Sequence, residues 1–148
     1  TKGREEMALG QYVAGMGFSN VGLGLVHSMA HPLSAFYDTP HGVACSILLP
    51  TVMRYNAPFT GEKYRDIADT FGVADAYSGD LETVREEAVQ AVRDLIRTLH
   101  NPTTISEVGA TKDDLEPLAH DAFRDVCTPG NPRKATEEDI LKIYTSLM

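Results

Sequence analysis

The sequence predicts an all-α fold: a bundle of about seven helices forming one domain over residues 1–148. Three observations carry this reading. Nearly every segment repeats its apolar side chains at three- and four-residue intervals, the period of a helix with one buried face. No stretch alternates apolar and polar residues as a half-buried strand would. Capping residues and glycine or proline stops recur at helix-length spacing.

The elements follow in order. Arg4 to Gly17 carries Met7, Leu9, Val13 and Met16, with Ala8, Gly10, Ala14 and Gly15 between them. A helix accepting several glycines, each costing about 1 kcal/mol against alanine, is expected to be buried in a close helix–helix contact. Ser19 or Asn20 can cap the next helix, which runs to about His31 and is apolar on every side. These two segments are predicted to form a buried, glycine-rich pair. Pro32 to Thr39 reads as a connection. Thr39 followed by Pro40 is a start signal for a helix reaching about Tyr55, with Val43, Ile47, Leu48, Val52 and Met53. A further helix after Thr60 presents Tyr64, Ile67, Ala68 and Phe71 and stops at Gly72. Asp80 precedes a longer amphipathic helix that ends at Asn101-Pro102. Thr111 and Asp114 form a capping-box pattern that opens a helix ending near Cys127. Pro129 to Pro132 is a loop, and Thr136 opens the last helix.

Composition removes several classes of function. The formal net charge is -8 and the basic residues are scattered, which excludes phosphate-backbone binding to nucleic acid. No apolar run reaches the ~18 residues of a membrane span. The polar start, Thr1 to Glu6, lacks the apolar core of a signal peptide. Two cysteines make no disulfide framework, so free thiols and a cytoplasmic location are expected. The first periodic segment begins almost at Thr1, so the chain is expected to be a fragment of a longer polypeptide.

The chemistry concentrates in one window. Of five histidines, three fall at His27, His31 and His41. His27 and His31 are four apart and share a helix face, while His41 opens the following helix. Neutral imidazole is a common ligand of Fe(II) and Zn(II), so the window reads as a metal or proton-transfer site. Spacing leaves His31 open as a third ligand or as an unligated proton donor. It also leaves a second class open: a metal-free helical interaction module whose histidines only satisfy buried hydrogen bonds. No acidic residue separates His27 from His31, so the zinc-protease His-Glu-x-x-His pattern is excluded. Asp38 is the one carboxylate in the window, in a capping or solvent-exposed position. His100, beside Asn101-Pro102, and His120 are expected to be structural or exposed.

Gly17-Phe18-Ser19-Asn20, the run from Gly24 to Ala35 containing His27-Ser28-Met29-Ala30-His31-Pro32, Pro40-His41-Gly42, Leu49-Pro50, Arg54-Tyr55-Asn56 and Asn131-Pro132-Arg133 together resemble the C-terminal signature of the iron-containing (group III) alcohol dehydrogenases. The resemblance covers essentially the whole chain. It implies the metal-binding C-terminal domain of a dehydroquinate synthase-like fold, with the N-terminal nucleotide-binding domain absent. It implies Fe(II), or Zn(II) in its place, held by an Asp and three His. His27 and His41 match two of those ligands, and the other two lie upstream of Thr1. His31 matches the residue that handles the substrate proton. NAD is implied as hydride carrier, held mainly by the missing domain. The implied reaction interconverts a small alcohol or diol and its aldehyde, lactaldehyde and 1,2-propanediol foremost, in a homodimeric enzyme. The isolated fragment would then be inactive and bind iron weakly. Cys127 lies in a loop the family places near the cleft, as a substrate- or nicotinamide-pocket residue or an inert half-buried thiol. Phe18 lines the substrate pocket or packs under the buried helix. Arg133 binds an anion, caps a helix or forms a surface ion pair. Ser28 and Ser34 depart from the small residues common at their positions, and Asp38 stands near a position often occupied by Asn.

Overall fold

Two apolar clusters meet along one shared helix. The computed structural model describes residues 1–148 and contains seven α-helices and no strand. These are α1 (Lys2–Val21), α2 (Leu25–Tyr37), α3 (His41–Asn56), α4 (Tyr64–Thr70), α5 (Leu81–Thr98), α6 (Leu115–Arg124) and α7 (Glu137–Ser146). The larger cluster joins α2, α3, α6 and α7 through Leu25, Met29, Leu33, Leu48, Leu118, Ile140 and Tyr144. The smaller joins the end of α3 to α4 and α5 through Met53, Tyr64, Ala68, Val84, Val89 and Ile96. No helix is long and apolar enough to cross a membrane.

Local caps form as the sequence predicts. The Asp80 carboxylate accepts the Thr83 N–H at 3.0 Å and starts α5. Thr111 and Asp114 close a capping box over a single 3₁₀ turn that leads into α6, and Thr136 with Asp139 closes another at α7.

Three boundaries differ from expectation. The first helix runs on to Val21, so Ser19 and Asn20 lie inside it rather than capping the next. It also has no buried residue, against the predicted buried glycine-rich pair. Most of it stands free of the rest of the chain, so that a Cβ at Gly3, Gly10 or Gly17 would meet open space, and it approaches α2 near its end, where Phe18 faces His27. The chain turns at Gly22, whose φ of 87° suits glycine. Gly24 then stands at the head of α2. That helix continues through Pro32 to Tyr37, where a connection was predicted. A proline within a helix costs about 3 kcal/mol, and burial of Leu25, Met29, Pro32 and Leu33 offsets it. The third difference is small. Pro40 occupies the cap position of α3, one residue before the first-turn site, and Thr39 makes no capping bond.

Long-range polar contacts anchor α2, the helix that carries His27 and His31. Its head has no cap of its own, and the Asn131 side chain supplies one by accepting the Leu25 N–H at 3.2 Å. Asn131 and Asn56 exchange amide hydrogen bonds at 3.0 and 2.7 Å, both side chains buried. The Asn131 amide also donates to the Arg133 carbonyl at 2.6 Å. From the other side, the buried Tyr144 hydroxyl donates to the Met29 carbonyl at 2.6 Å.

Candidate metal centre

His27 lies in the first turn of α2, His31 one turn later, and His41 is the first residue of α3. The turn around Asp38 folds α3 back beside α2. Asp38 itself is exposed, at a left-handed φ of 52°. The His27 and His41 ring centroids are 5.3 Å apart, those of His31 and His41 are 5.6 Å apart and stacked, and those of His27 and His31 are 6.4 Å apart. Burial, followed by the neighbouring His41 and His31 charges, holds the His27 imidazole below its ordinary pKa, with partial opposition from Asp125. His27 is therefore biased to the neutral form, which is the one that ligates metal.

Two further groups complete the surroundings. The Cys45 thiol, one turn along α3, lies 3.5 Å from His41 Nε2. Ligand atoms of His27, His41 and Cys45 fall within 4.8 Å of one another. Burial pushes the Cys45 thiol pKa up. On the opposite side, His31 Nδ1 lies 2.7 Å from Asp125 Oδ2, and the other Asp125 oxygen accepts the Cys127 N–H at 2.8 Å. Burial alone would raise the Asp125 carboxyl, but its bonds to His31 and Cys127 outweigh this and hold it low. The Cys127 thiol is raised by burial first and by Asp125 next, so it is a protonated thiol at neutral pH. Imidazoles with a nearby thiol are a donor set that suits a divalent transition ion, and the spacing fits one.

The structure thus brings His27, His31 and His41 to one place. Phe18, at the end of α1, sets its ring 6.2 Å from the His27 ring. It borders an open groove of ≈ 520 Å³ shared with His27, Leu49, Lys63 and Asn131. Cys127 reaches the cluster indirectly, through Asp125. His100 and His120 stand apart: His100 is exposed, and His120 faces Glu137 at 3.3 Å. Of its three predicted contacts, Arg133 makes the helix-capping one, at the last turn of α3. Its guanidinium lies 4.0 Å from the Tyr55 ring centroid and donates to the Tyr55 carbonyl.

Sequence reasoning missed Asp125, Cys45 and the Asn56–Asn131 pair as parts of this region. Cys45 had a signal, since His41 and Cys45 are four apart on one helix. Asp125 had none, because it is separated from His31 by 94 residues.

A helical domain that converges imidazoles at the junction of two helices defines a class, and comparison with known proteins gives the family. The family model for Fe-containing alcohol dehydrogenases, C-terminal, matches residues 1–148, and the chain belongs to this family. Lactaldehyde reductase of Escherichia coli (strain K12) is 64% identical over 140 residues, covering 95% of this chain and 36% of that protein. NAD-dependent methanol dehydrogenase of Bacillus methanolicus is 38% identical over 146 residues, covering 98% of this chain and 38% of that protein. Among solved structures, an alcohol dehydrogenase from Oenococcus oeni superposes with a TM-score of 0.86 at 36% identity, covering 91% of this chain and 35% of that one. A 1,3-propanediol oxidoreductase gives 0.81, also at 36% identity, covering 85% and 33%. The chain therefore spans little more than a third of the length of the curated relatives it matches.

Proposed function

We propose that residues 1–148 form the metal-binding helical unit of an NAD-linked oxidoreductase that interconverts a small alcohol or diol and its aldehyde, with lactaldehyde and 1,2-propanediol as the first pair to test. The observation that supports this most is the mutual approach of His27, His31 and His41, with only His31 tied to a carboxylate. The whole protein would be a cytoplasmic homodimer in which the remaining metal ligands and most of the NAD contacts come from outside these residues.

The residues divide by role. His27 and His41 would hold the ion, Fe(II) in the first instance and Zn(II) as the alternative. When bound, the ion supplies Lewis acidity toward the substrate oxygen and NAD supplies a hydride carrier. His31 moves the proton. Asp125 accepts from its Nδ1–H, which fixes the tautomer and leaves Nε2 free to take a proton from the alcohol or return it to the aldehyde oxygen. Asp125 is a positioning residue, stabilising the imidazolium while the proton resides there. With 42% of its side chain accessible, His31 can pass that proton on to water. Phe18 borders the side of the groove next to His27 and would shape the substrate pocket. Cys127, a neutral thiol, would face the nicotinamide side without chemical work.

The test is metal content and NADH-dependent lactaldehyde turnover of the whole protein. His27→Ala is expected to abolish both. His31→Ala is expected to retain the metal and lose turnover. A His27→Ala protein that keeps its full complement of metal would refute the assignment and favour histidines with a purely structural role.

A further inference from the structure

We propose that Cys45 is a metal ligand, so that this chain alone offers a nitrogen–nitrogen–sulfur set, His27, His41 and Cys45, to a divalent transition ion. The inference rests on the proposal that His27 and His41 hold an ion, and adds a third donor.

Three features carry it. His41 and Cys45 are one turn apart on α3, a spacing that points both side chains the same way. Their donor atoms are 3.5 Å apart. With metal–sulfur and metal–nitrogen distances of about 2.3 and 2.0–2.1 Å, tetrahedral ligation requires a sulfur–nitrogen separation of about 3.5–3.6 Å. The pair is thus already spaced as two corners of one coordination tetrahedron. Finally, the His27 ligand atom lies within 4.8 Å of both, on the neighbouring helix, so the three donors surround a common point. Two helices from the larger core cluster fix these positions. The second trio, His31, Asp125 and Cys127, has its carboxylate engaged by His31 and by the Cys127 N–H and so has less donor capacity left.

Coordination replaces the Cys45 sulfur–hydrogen bond with a sulfur–metal bond, and the proton leaves to solvent. Co(II) reports such ligation directly, because a bound thiolate gives it an absorption that imidazole ligands do not.

Co(II) titration of the 148-residue chain under anaerobic conditions, followed by absorption spectroscopy, tests this. The expected result is a near-ultraviolet sulfur-to-cobalt charge-transfer band together with visible ligand-field bands. Cys45→Ser should remove the charge-transfer band and weaken Co(II) binding by at least about tenfold. Cys127→Ser should leave both unchanged, and far-ultraviolet circular dichroism should show either variant folded. Visible bands without a charge-transfer band would overturn the role of Cys45 while leaving His27 and His41 as ligands. A charge-transfer band that survives Cys45→Ser, or no Co(II) uptake, would also overturn it. The metal content of the whole His27→Ala protein decides the underlying reading independently.

Discussion

Replacing Asn131 with Ala should be the most damaging single polar substitution in this chain. Its side chain caps α2 at Leu25, exchanges two bonds with Asn56 and donates to the Arg133 carbonyl. Alanine would leave the Leu25 N–H and both ends of the Asn56 amide without partners in a buried setting. Each such orphan costs about 1–3 kcal/mol, so three of them lower stability by about 4 kcal/mol after partial relaxation. That is a large share of the roughly 5–15 kcal/mol typical of a folded domain. Little local rearrangement can recover it. Asn131 approaches Gly24 so closely that a Cβ there would stand 3.0 Å from its Oδ1, so glycine at position 24 is what lets the cap reach Leu25. Urea unfolding followed by circular dichroism reads the effect. With a slope near about 2 kcal/mol per molar, the midpoint should fall by about 2 M. Asn131→Asp should not rescue it, because a carboxylate accepts from Leu25 but cannot donate to Asn56 or Arg133. A loss below about 1 kcal/mol would refute the claim that this side chain is the tertiary cap of α2.

Three other outcomes are expected. Gly130→Ala places a Cβ 2.2 Å from the Leu23 carbonyl oxygen; because the clash is with backbone, it should cost about 2–3 kcal/mol by thermal or urea unfolding, and a neutral result would show that the Leu23 segment yields freely. In the whole protein, Asp125→Asn should lower kcat about tenfold or more with little change in KM and shift the pH–rate profile, whereas a purely structural residue would leave that profile in place. In acid, hydrogen bonds from Thr136 hold Asp139 low and those from Thr83 hold Asp80 low, so their stabilisation is full above the unfolded carboxylate value near about 3.9 and is lost as pH falls through the lower folded values. His27 acts in the same direction: burial and its histidine neighbours depress it, so below about pH 6.5 the unfolded chain takes up that proton first and stability declines. Urea midpoints that match at about pH 3 and about pH 6 would contradict both signs.

What could be read in advance depended on how far apart the interacting residues lie. The caps at Asp80, Thr111 and Thr136 were legible because each closes within three residues. The histidine window was legible for the same reason: helical spacing places His27 and His31 on one face, and Pro40-His41 marks the next helix. The continuation of α2 through Pro32 was not, because local preference argues against it and only burial against α3 and α6 reverses the sign. Nor was the exposure of α1, whose glycines are compatible with close packing but do not bring a partner to it.

By itself the sequence determined a helical domain with a cluster of imidazoles near its first helices, since side-chain period, capping and residue spacing are properties of short segments. Only the tertiary structure decided that His31 is bound to Asp125, 94 positions further along the chain, that Asn131 caps a helix beginning 106 positions before it, and that the His41 ring stacks on that of His31. These contacts arise where packed helices bring distant backbone and side chains together, and the burial that drives that packing carries no mark of which polar partners it will place side by side.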